Sequence, residues 1–311
     1  MTVRFDVAVV GEIYVDHIFS GFPAWPLPGE EVTTDAYTRE MGGGTIATAC
    51  GLARLGRKVG VVGLIGADDR AWFEQRLAGY GVAFDGIRIG DGFTGTTISI
   101  STPQDRSFFT HIGVNSAVGA LAMGDGLATL CAASHVHFAM PVPHTVAQVV
   151  LPLLAARGIT TSLDMGYQPE WLASPVNRPT ITQVDYLMPN EKEAELLFGS
   201  TDVGTYFDHA ARIGIRNPLL KLGARGAAAL DNGEIVHVRP PVVQAVDATG
   251  AGDAFDAGFI DALLDAAPLR RRLERGCITG ALSTRKPGAL GGIPDAQELW
   301  TVHDRNYALH D

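Results

Sequence analysis

The residues best suited to chemistry are Asp247-Ala248-Thr249-Gly250-Ala251-Gly252-Asp253-Ala254-Phe255. Gly250 and Gly252 let a backbone turn approach a ligand closely, with no side chain in the way. The turn opens into a segment in which Phe255, Phe259 and Leu263 recur at four-residue spacing, so one helix face can pack on a core. Unpaired amides and the positive end of the helix dipole then suit an anion. Asp253 sits in the first turn, and a carboxylate beside a bound phosphate weakens binding by repulsion. It makes sense if it takes a proton from a hydroxyl that then attacks phosphorus, while the turn stabilises the charge on the transferred group. Taken alone, the same residues also describe a helix cap on a tight turn.

Other glycine-rich turns separate into those that fail and those that fit. Gly51 to Lys58 has a P-loop outline, but its lysine is displaced by one place, no Ser/Thr follows, and Gly56 ends a helix where a P-loop must begin one. Gly63-Leu64-Ile65-Gly66 follows a strand without the third glycine of a dinucleotide fold. Gly42-Gly43-Gly44 precedes a helix and reads either as a hinge or as amides meeting a polar ligand. Asn190 to Glu193 begins a helix directly after a strand. Asn190 serves as a cap or faces the ligand crevice of an open α/β sheet, and Glu193 could hold a hydrated Mg2+. Gly223 to Gly226 is a strand-end turn suited to lying along a nucleotide's phosphates.

The elements that must position these residues alternate. Strands are expected at 7–10, 59–65, 136–139, 160–163, 186–188, 219–222 and 227–230, with helices near 46–55, 71–78, 144–156, 170–174 and 191–213. That order implies an α/β fold with a mostly parallel sheet covered on both faces. Residues 20–31 are rich in Pro and Gly and form a flap. Residues 94–112 alternate as exposed strands, with Ile98, Ile100 and Phe108 at apolar positions. The segments 12–37 and 94–112 do not fit the large sheet and are expected to form a small separate sheet that acts as a lid.

At 311 residues, 46% hydrophobic and 19% charged, the chain has ordinary globular composition, and residues 1–311 read as a single domain carrying these lid segments. A net charge of −10 without a basic stripe argues against nucleic acid as a partner; Arg270, Arg271 and Arg272 read as a solvated helix face. Cys50, Cys131 and Cys277 lie far apart and offer neither a disulfide framework nor a metal motif. Met1 to Val10 runs into a strand too quickly for a signal peptide, and no apolar run approaches a membrane span. A cytoplasmic protein is the expectation.

Together these residues resemble the ribokinase, or PfkB-type, family of carbohydrate kinases over nearly the full chain. Val10 to Asp16 is similar to the family's opening strand, whose aspartate binds sugar hydroxyls. Gly42-Gly43-Gly44 with its helix resembles the first signature, Gly63 to Asp69 the turn that follows, Asn190-x-x-Glu193 the metal and phosphate element, and Asp247 to Gly258 the second signature. The resemblance implies a three-layer αβα sandwich with a β lid and ATP-dependent phosphorylation of a hydroxyl on a small sugar or sugar derivative. It makes Asp253 the general base and the amides of Ala251, Gly252 and Asp253, behind Gly250, the anion hole. Asp16, Gly42 and Gly43 would hold the acceptor; Asn190, Gly223, Gly226 and Ser283 would line the nucleotide side. Glu193 would serve Mg2+ through water, and Asp247 and Thr249, with the loop near Gly288-Ala289, a monovalent cation such as K+. Pairing of two copies through the lid is a further implication.

The departures bear on substrate. Tyr14 stands where the family's first strand often has Asn, and Ala47 where the first signature usually has Asn. Losing both amides disfavours simple ribose. Tyr14 either stacks on the ligand, which would suit a nucleoside base, or packs the lid hinge. Trp25 in the flap is a second platform or a lid-packing residue. Asp164 to Gln168 stands where some sugar-acid and fructose kinases of the family carry Asp-x-Asn-x-Arg, and without the arginine an anionic sugar has no clamp there. A nucleoside kinase on the same fold is the alternative, and a catalytically silent ligand-binding relative a second.

Overall fold

Short runs of β-branched and aliphatic residues supply the buried strands, because side chains on both faces of a parallel sheet must be apolar. The computed structural model describes residues 4–102 and 106–307; residues 1–3, 308–311 and 103–105, the last within the 94–112 stretch, lie outside the described residues. The strands are β1 (Phe5–Gly11), β2 (Tyr14–Ser20), β3 (Ala36–Gly42), β4 (Val59–Ile65), β5 (Ile87–Ile89), β6 (Gly95–Ser101) and β7 (Arg106–His111). They continue as β8 (Ala133–Ala139), β9 (Thr160–Asp164), β10 (Tyr186–Leu187), β11 (Asn217–Lys221), β12 (Ala227–Asp231) and β13 (Glu234–Val238). The helices are α1 (Gly44–Arg54), α2 (Arg70–Tyr80), α3 (Val118–Met123), α4 (Leu127–Leu130), α5 (His144–Ala155) and α6 (Pro169–Ala173). After them come α7 (Arg178–Gln183), α8 (Glu191–Phe198), α9 (Val203–Ile213), α10 (Ala251–Leu264), α11 (Leu269–Ser283) and α12 (Ala296–Tyr307).

The large sheet runs β13-β12-β11-β10-β9-β8-β1-β4-β5. It is parallel from β11 to β5, and only β12 runs against the rest, pairing antiparallel with β11 on one side and with the edge strand β13 on the other. One face is closed by α3, α4, α5, α7 and α9 around Phe138, Leu163, Val150 and Ala210. The other is closed by α1, α2 and α10, around Val9, Val61, Ile46 and Ile260. Phe255 and Phe259 of α10 extend that layer over β11 to β13, with Phe259 edge-on to Tyr186 at 5.8 Å. These are the three layers of the expected sandwich. From β1 the chain moves outward to β4 and β5, then returns to lay β8 on the other side of β1. The crevice beyond the carboxyl ends of β1 and β8 is therefore the topological switch point, where open α/β sheets bind ligands.

A second sheet, in the order β3-β2-β6-β7, forms around the two segments set apart by their patterning, but the first runs further than 37, because β3 continues to Gly42. Only two residues separate β1 from β2, so the small sheet grows directly from the switch point. Asn115 clamps that junction, accepting from the Ile13 amide at 3.0 Å and donating to the Ile13 carbonyl at 2.9 Å.

Several local expectations need correction. The helix expected over 191–213 is two helices, because Gly199 closes the first in a left-handed conformation and Asp202 caps the second at Thr205. The short β5, the edge strand β13 and α12 carried too little periodicity to be read. Ile98 and Ile100 share one face of β6, but Phe108 pairs with Ser99 and so lies on the opposite face; Ile98 and Phe108 are both exposed. Arg272 is not simply solvated: it donates to the Ala267 carbonyl at 2.6 Å and to the Tyr186 hydroxyl at 3.0 Å.

Candidate active site

Three chain segments converge at the switch point. The Gly250 turn puts the first turn of α10 beside the first turn of α1, and β2 brings Asp16 over the same place. A Cβ built on Gly44 would lie 2.6 Å from Asp253 Oδ1, and one on Gly42 would collide with the Asp16 carboxylate. Gly42 and Gly44 therefore leave room for these two carboxylates on either side of one short backbone stretch. Gly43 between them holds a φ of 90°, which favours glycine, and its missing Cβ avoids the Glu12 carbonyl.

The electrostatics suit a base. Burial first, and then Asp164, push the Asp253 carboxyl up to about 7, with Lys221 pulling the other way. Burial and Glu40 lift Asp16 to about 7 as well. At the turn, Gly250 takes a left-handed φ of 72° and its missing Cβ avoids Ala289. Of the amides expected to hold an anion, that of Ala251 bonds the Ala248 carbonyl at 3.2 Å. Gly252 faces open space apart from Lys221, whose Nζ lies 3.4 Å from where a Cβ would stand. Such a cradle admits an anion against the amides of Gly252 and Asp253.

Asp247 anchors the turn from below. Its Oδ1 accepts from the Thr249 amide at 2.9 Å and the Thr249 hydroxyl at 2.7 Å, while Oδ2 accepts from the Gly288 amide at 2.9 Å. Asp247 thus ties the start of the signature to the 288–289 loop.

Asn190 and Glu193 lock each other in a capping box. Glu193 Oε2 accepts from the Asn190 amide at 2.8 Å and Oε1 from its Nδ2 at 2.7 Å, while Asn190 Oδ1 accepts from the Glu193 amide at 3.0 Å. Burial and Asp164 raise the Glu193 carboxyl to about 7. The carboxylate is buried, so a metal would meet it through water, as Mg2+ commonly does. The Gly223–Arg225 turn is exposed, with open space above Gly223, and Arg225 pairs with Glu191 at the start of α8. Gly226 holds a φ of 97°, and a Cβ there would collide with the Val238 carbonyl.

Of the candidate site residues, Ser283 and Ala47 are buried, and Tyr14 takes the hinge-packing one of its two expected roles. Ser283 is fully buried with its hydroxyl on the Gly280 carbonyl at 2.8 Å, so it cannot line a nucleotide. Ala47 is 1% exposed inside α1 and offers no surface to an acceptor. Tyr14 is buried against Gly43 and Gly95, its hydroxyl donating to Glu12 Oε2 at 2.6 Å, so the ring packs the hinge and presents no stacking face. Trp25 stacks on Phe109 of the small sheet, centroids 6.1 Å apart, which is the lid-packing placement.

Sequence reading missed a buried ionic cluster beneath the crevice. Lys221 Nζ donates to Asp164 Oδ2 at 2.5 Å and lies 3.2 Å from both oxygens of Asp256. Oxygens of Asp164, Asp253 and Asp256 all fall within 4.8 Å of one another. A signal existed: Lys221 interrupts the apolar run Leu219-Leu220-Lys221-Leu222, and Asp256 sits on the apolar face of α10. A charge among such neighbours needs a partner.

Comparison with known proteins identifies the family and the fold. The profile of the pfkB family carbohydrate kinases matches residues 4–296. Ribokinase of Haemophilus influenzae is 26% identical over 306 residues, covering 95% of this chain and 97% of that protein. ATP-dependent ribose-1-phosphate kinase of Halopiger xanaduensis is 33% identical over 258 residues, covering 81% and 83%. The solved structure of Arabidopsis thaliana ribokinase complexed with ribose and ATP shares the fold at a TM-score of 0.84 and 24% identity, covering 97% of this chain and 99% of that one. Among the described residues, no helix is long and apolar enough to cross a membrane.

Proposed function

The chain belongs to the pfkB family of carbohydrate kinases and is a phosphotransferase with an alcohol group as acceptor; from that premise we propose that it transfers the γ-phosphoryl group of ATP to a hydroxyl of a small sugar or sugar derivative. One observation carries the reading: Asp253, in the first turn of α10, lies against Gly44, with Asp16 against Gly42 two residues away.

In this reading Asp16, Gly42 and Gly43 hold the acceptor with one hydroxyl toward Asp253. Asp253 accepts that proton as the oxygen attacks phosphorus in line, and the amides at Gly252 and Asp253 receive the charge of the travelling group. The exposed residues Gly223 to Arg225, closed by the buried Gly226, and the capping pair at Asn190 line the nucleotide side. Bound with ATP, Mg2+ would neutralise phosphate charge, and Glu193 would hold it through water. The second sheet acts as a lid: it carries Asp16, and closing it over the acceptor would exclude water and suppress hydrolysis. Its exposed Ile98 and Phe109, paired on one face, support pairing of two copies through that sheet. The Asp247 junction with Gly288 supports a dependence of the turn on K+.

The packed Tyr14 ring supports a sugar over a nucleoside, because the aromatic platform that would favour a base is taken up by the hinge. The test is an acceptor panel of free sugars, sugar acids and nucleosides with Mg-ATP, read as ADP release and repeated with and without potassium. Turnover on a sugar is the expected result. Turnover confined to nucleosides would transfer the assignment to the nucleoside kinase reading.

The raised carboxyl of Asp253 also gives turnover a definite pH dependence. A base must be unprotonated to act, and Asp253 is lifted to about 7, so kcat should fall as pH drops below neutrality. The slope approaches about tenfold per pH unit once the group is mostly protonated. A kcat profile that stays flat through the acid range would contradict this.

A further inference from the structure

Lys221 closes an apolar strand, yet its ammonium is buried at the carboxyl edge of the sheet, between the ends of β9 and β11 and the first turns of α10. Burial works against the ammonium, but Asp164, then Asp256 and Glu193, hold it charged well above neutrality. Burial would raise Asp164, but Lys221 first and Asp256 next hold it far below the usual carboxylate range. Burial pushes Asp256 well above that range, with Lys221 opposing and Asp164 adding, so Asp256 keeps a proton and shares it with Asp164. One ammonium and one carboxylate therefore cancel, and the third member is neutral. This neutral cluster lies directly under Gly252.

We propose that Lys221 is a positioning residue for phosphoryl transfer: by cancelling the charge of Asp164 beneath Gly252, it keeps the floor of the crevice neutral, so that Asp253 can stand ionised where a triphosphate must approach. The proposal rests on the reading of Asp253 as the base. Without the ammonium, Asp164 and Asp256 form an acid pair that shares one proton and keeps one negative charge. That charge would fall beside Asp253 and hold a proton on it. Other titratable groups face the cluster too. His137 on β8 has its Nε2 4.0 Å from Asp256 Oδ2, and burial lowers it to about 4, so it is neutral at working pH. Glu193 on α8 acts on both Lys221 and Asp253, and Asp16 on β2 acts on Asp253. None of these supplies a positive charge, so Lys221 does.

The test is the pH profile of kcat for three proteins beside wild type, each checked for folding by thermal unfolding. In Lys221→Met the acid limb should move up by roughly one unit, a loss of about tenfold in turnover just below neutrality. In the double variant Lys221→Met with Asp164→Asn, charge is removed in equal and opposite amounts, and the limb should return to the wild-type position. Should Lys221→Met not fold, Asp164→Asn with Asp256→Asn leaves the ammonium uncompensated and should move the limb down. A residue that merely fills space would leave the limb in place in all three. An unmoved limb in the single variant, or one that stays displaced in the neutral double variant, overturns the proposal. Full turnover in Asp253→Asn would instead overturn the reading of the base.

Discussion

Replacing Asp253 by asparagine should slow turnover by roughly 10²–10⁴-fold while leaving the KM for ATP nearly unchanged. The amide has the volume of the carboxyl but cannot take the proton of the attacking hydroxyl. In the proposed reading the nucleotide lies at Asn190 and the Gly223 turn, which are built by other elements, so ATP affinity has no reason to fall. Stability should not suffer either, because the substitution removes a carboxylate that burial and Asp164 already disfavour. Steady-state kinetics and a thermal melt separate these effects. A variant with near-normal turnover would take Asp253 out of the mechanism, while one that failed to fold would mean its carboxyl is structural.

The second large effect comes from adding one carbon. Gly44 opens α1 in a helical conformation open to any residue, and alanine is the better helix former by about 1 kcal/mol. Yet the new Cβ would stand 2.6 Å from Asp253 Oδ1, closer than two such atoms approach. The atom in the way is the end of a side chain, so the carboxylate moves and the backbone stays. Gly44→Ala should therefore melt close to wild type and still lose on the order of 10²-fold in kcat, the usual consequence of displacing a reacting group by about an ångström. Loss of stability in step with loss of turnover would mean that the clash is relieved by the helix, and that Gly44 does not set the place of the base. Unchanged turnover would mean that Asp253 can shift without cost to the chemistry.

Much of this site could be read directly because its parts are local. A turn that needs glycine, followed at once by an amphipathic helix with a carboxylate in its first turn, is a single short segment, and Gly250 to Asp253 adopt that geometry. The same holds for the Asn190–Glu193 capping box, a three-residue spacing with a defined hydrogen-bond pattern. The alternation of apolar runs and amphipathic stretches specified the parallel sheet, since strands buried on both faces and helices buried on one have different periods.

What local pattern could not decide was where each polar group ends up. Ser283 is the last residue of α11, and its hydroxyl turns back along that helix to the Gly280 carbonyl. Tyr14 had two open roles, and the absence of side chains at Gly43, the cap of α1, and Gly95, the first residue of β6, lets its ring pack in the hinge. The Lys221 cluster joins residues from β9, β11 and α10 that are 57 and 35 positions apart in the chain. Residue type and spacing alone determined the sheet, the turn and the aspartate in the first turn of the helix it opens, because each depends on neighbours a few positions away. Only the tertiary structure decided which charges face one another, because electrostatic energy depends on distance through space and on burial, and neither is written along the chain.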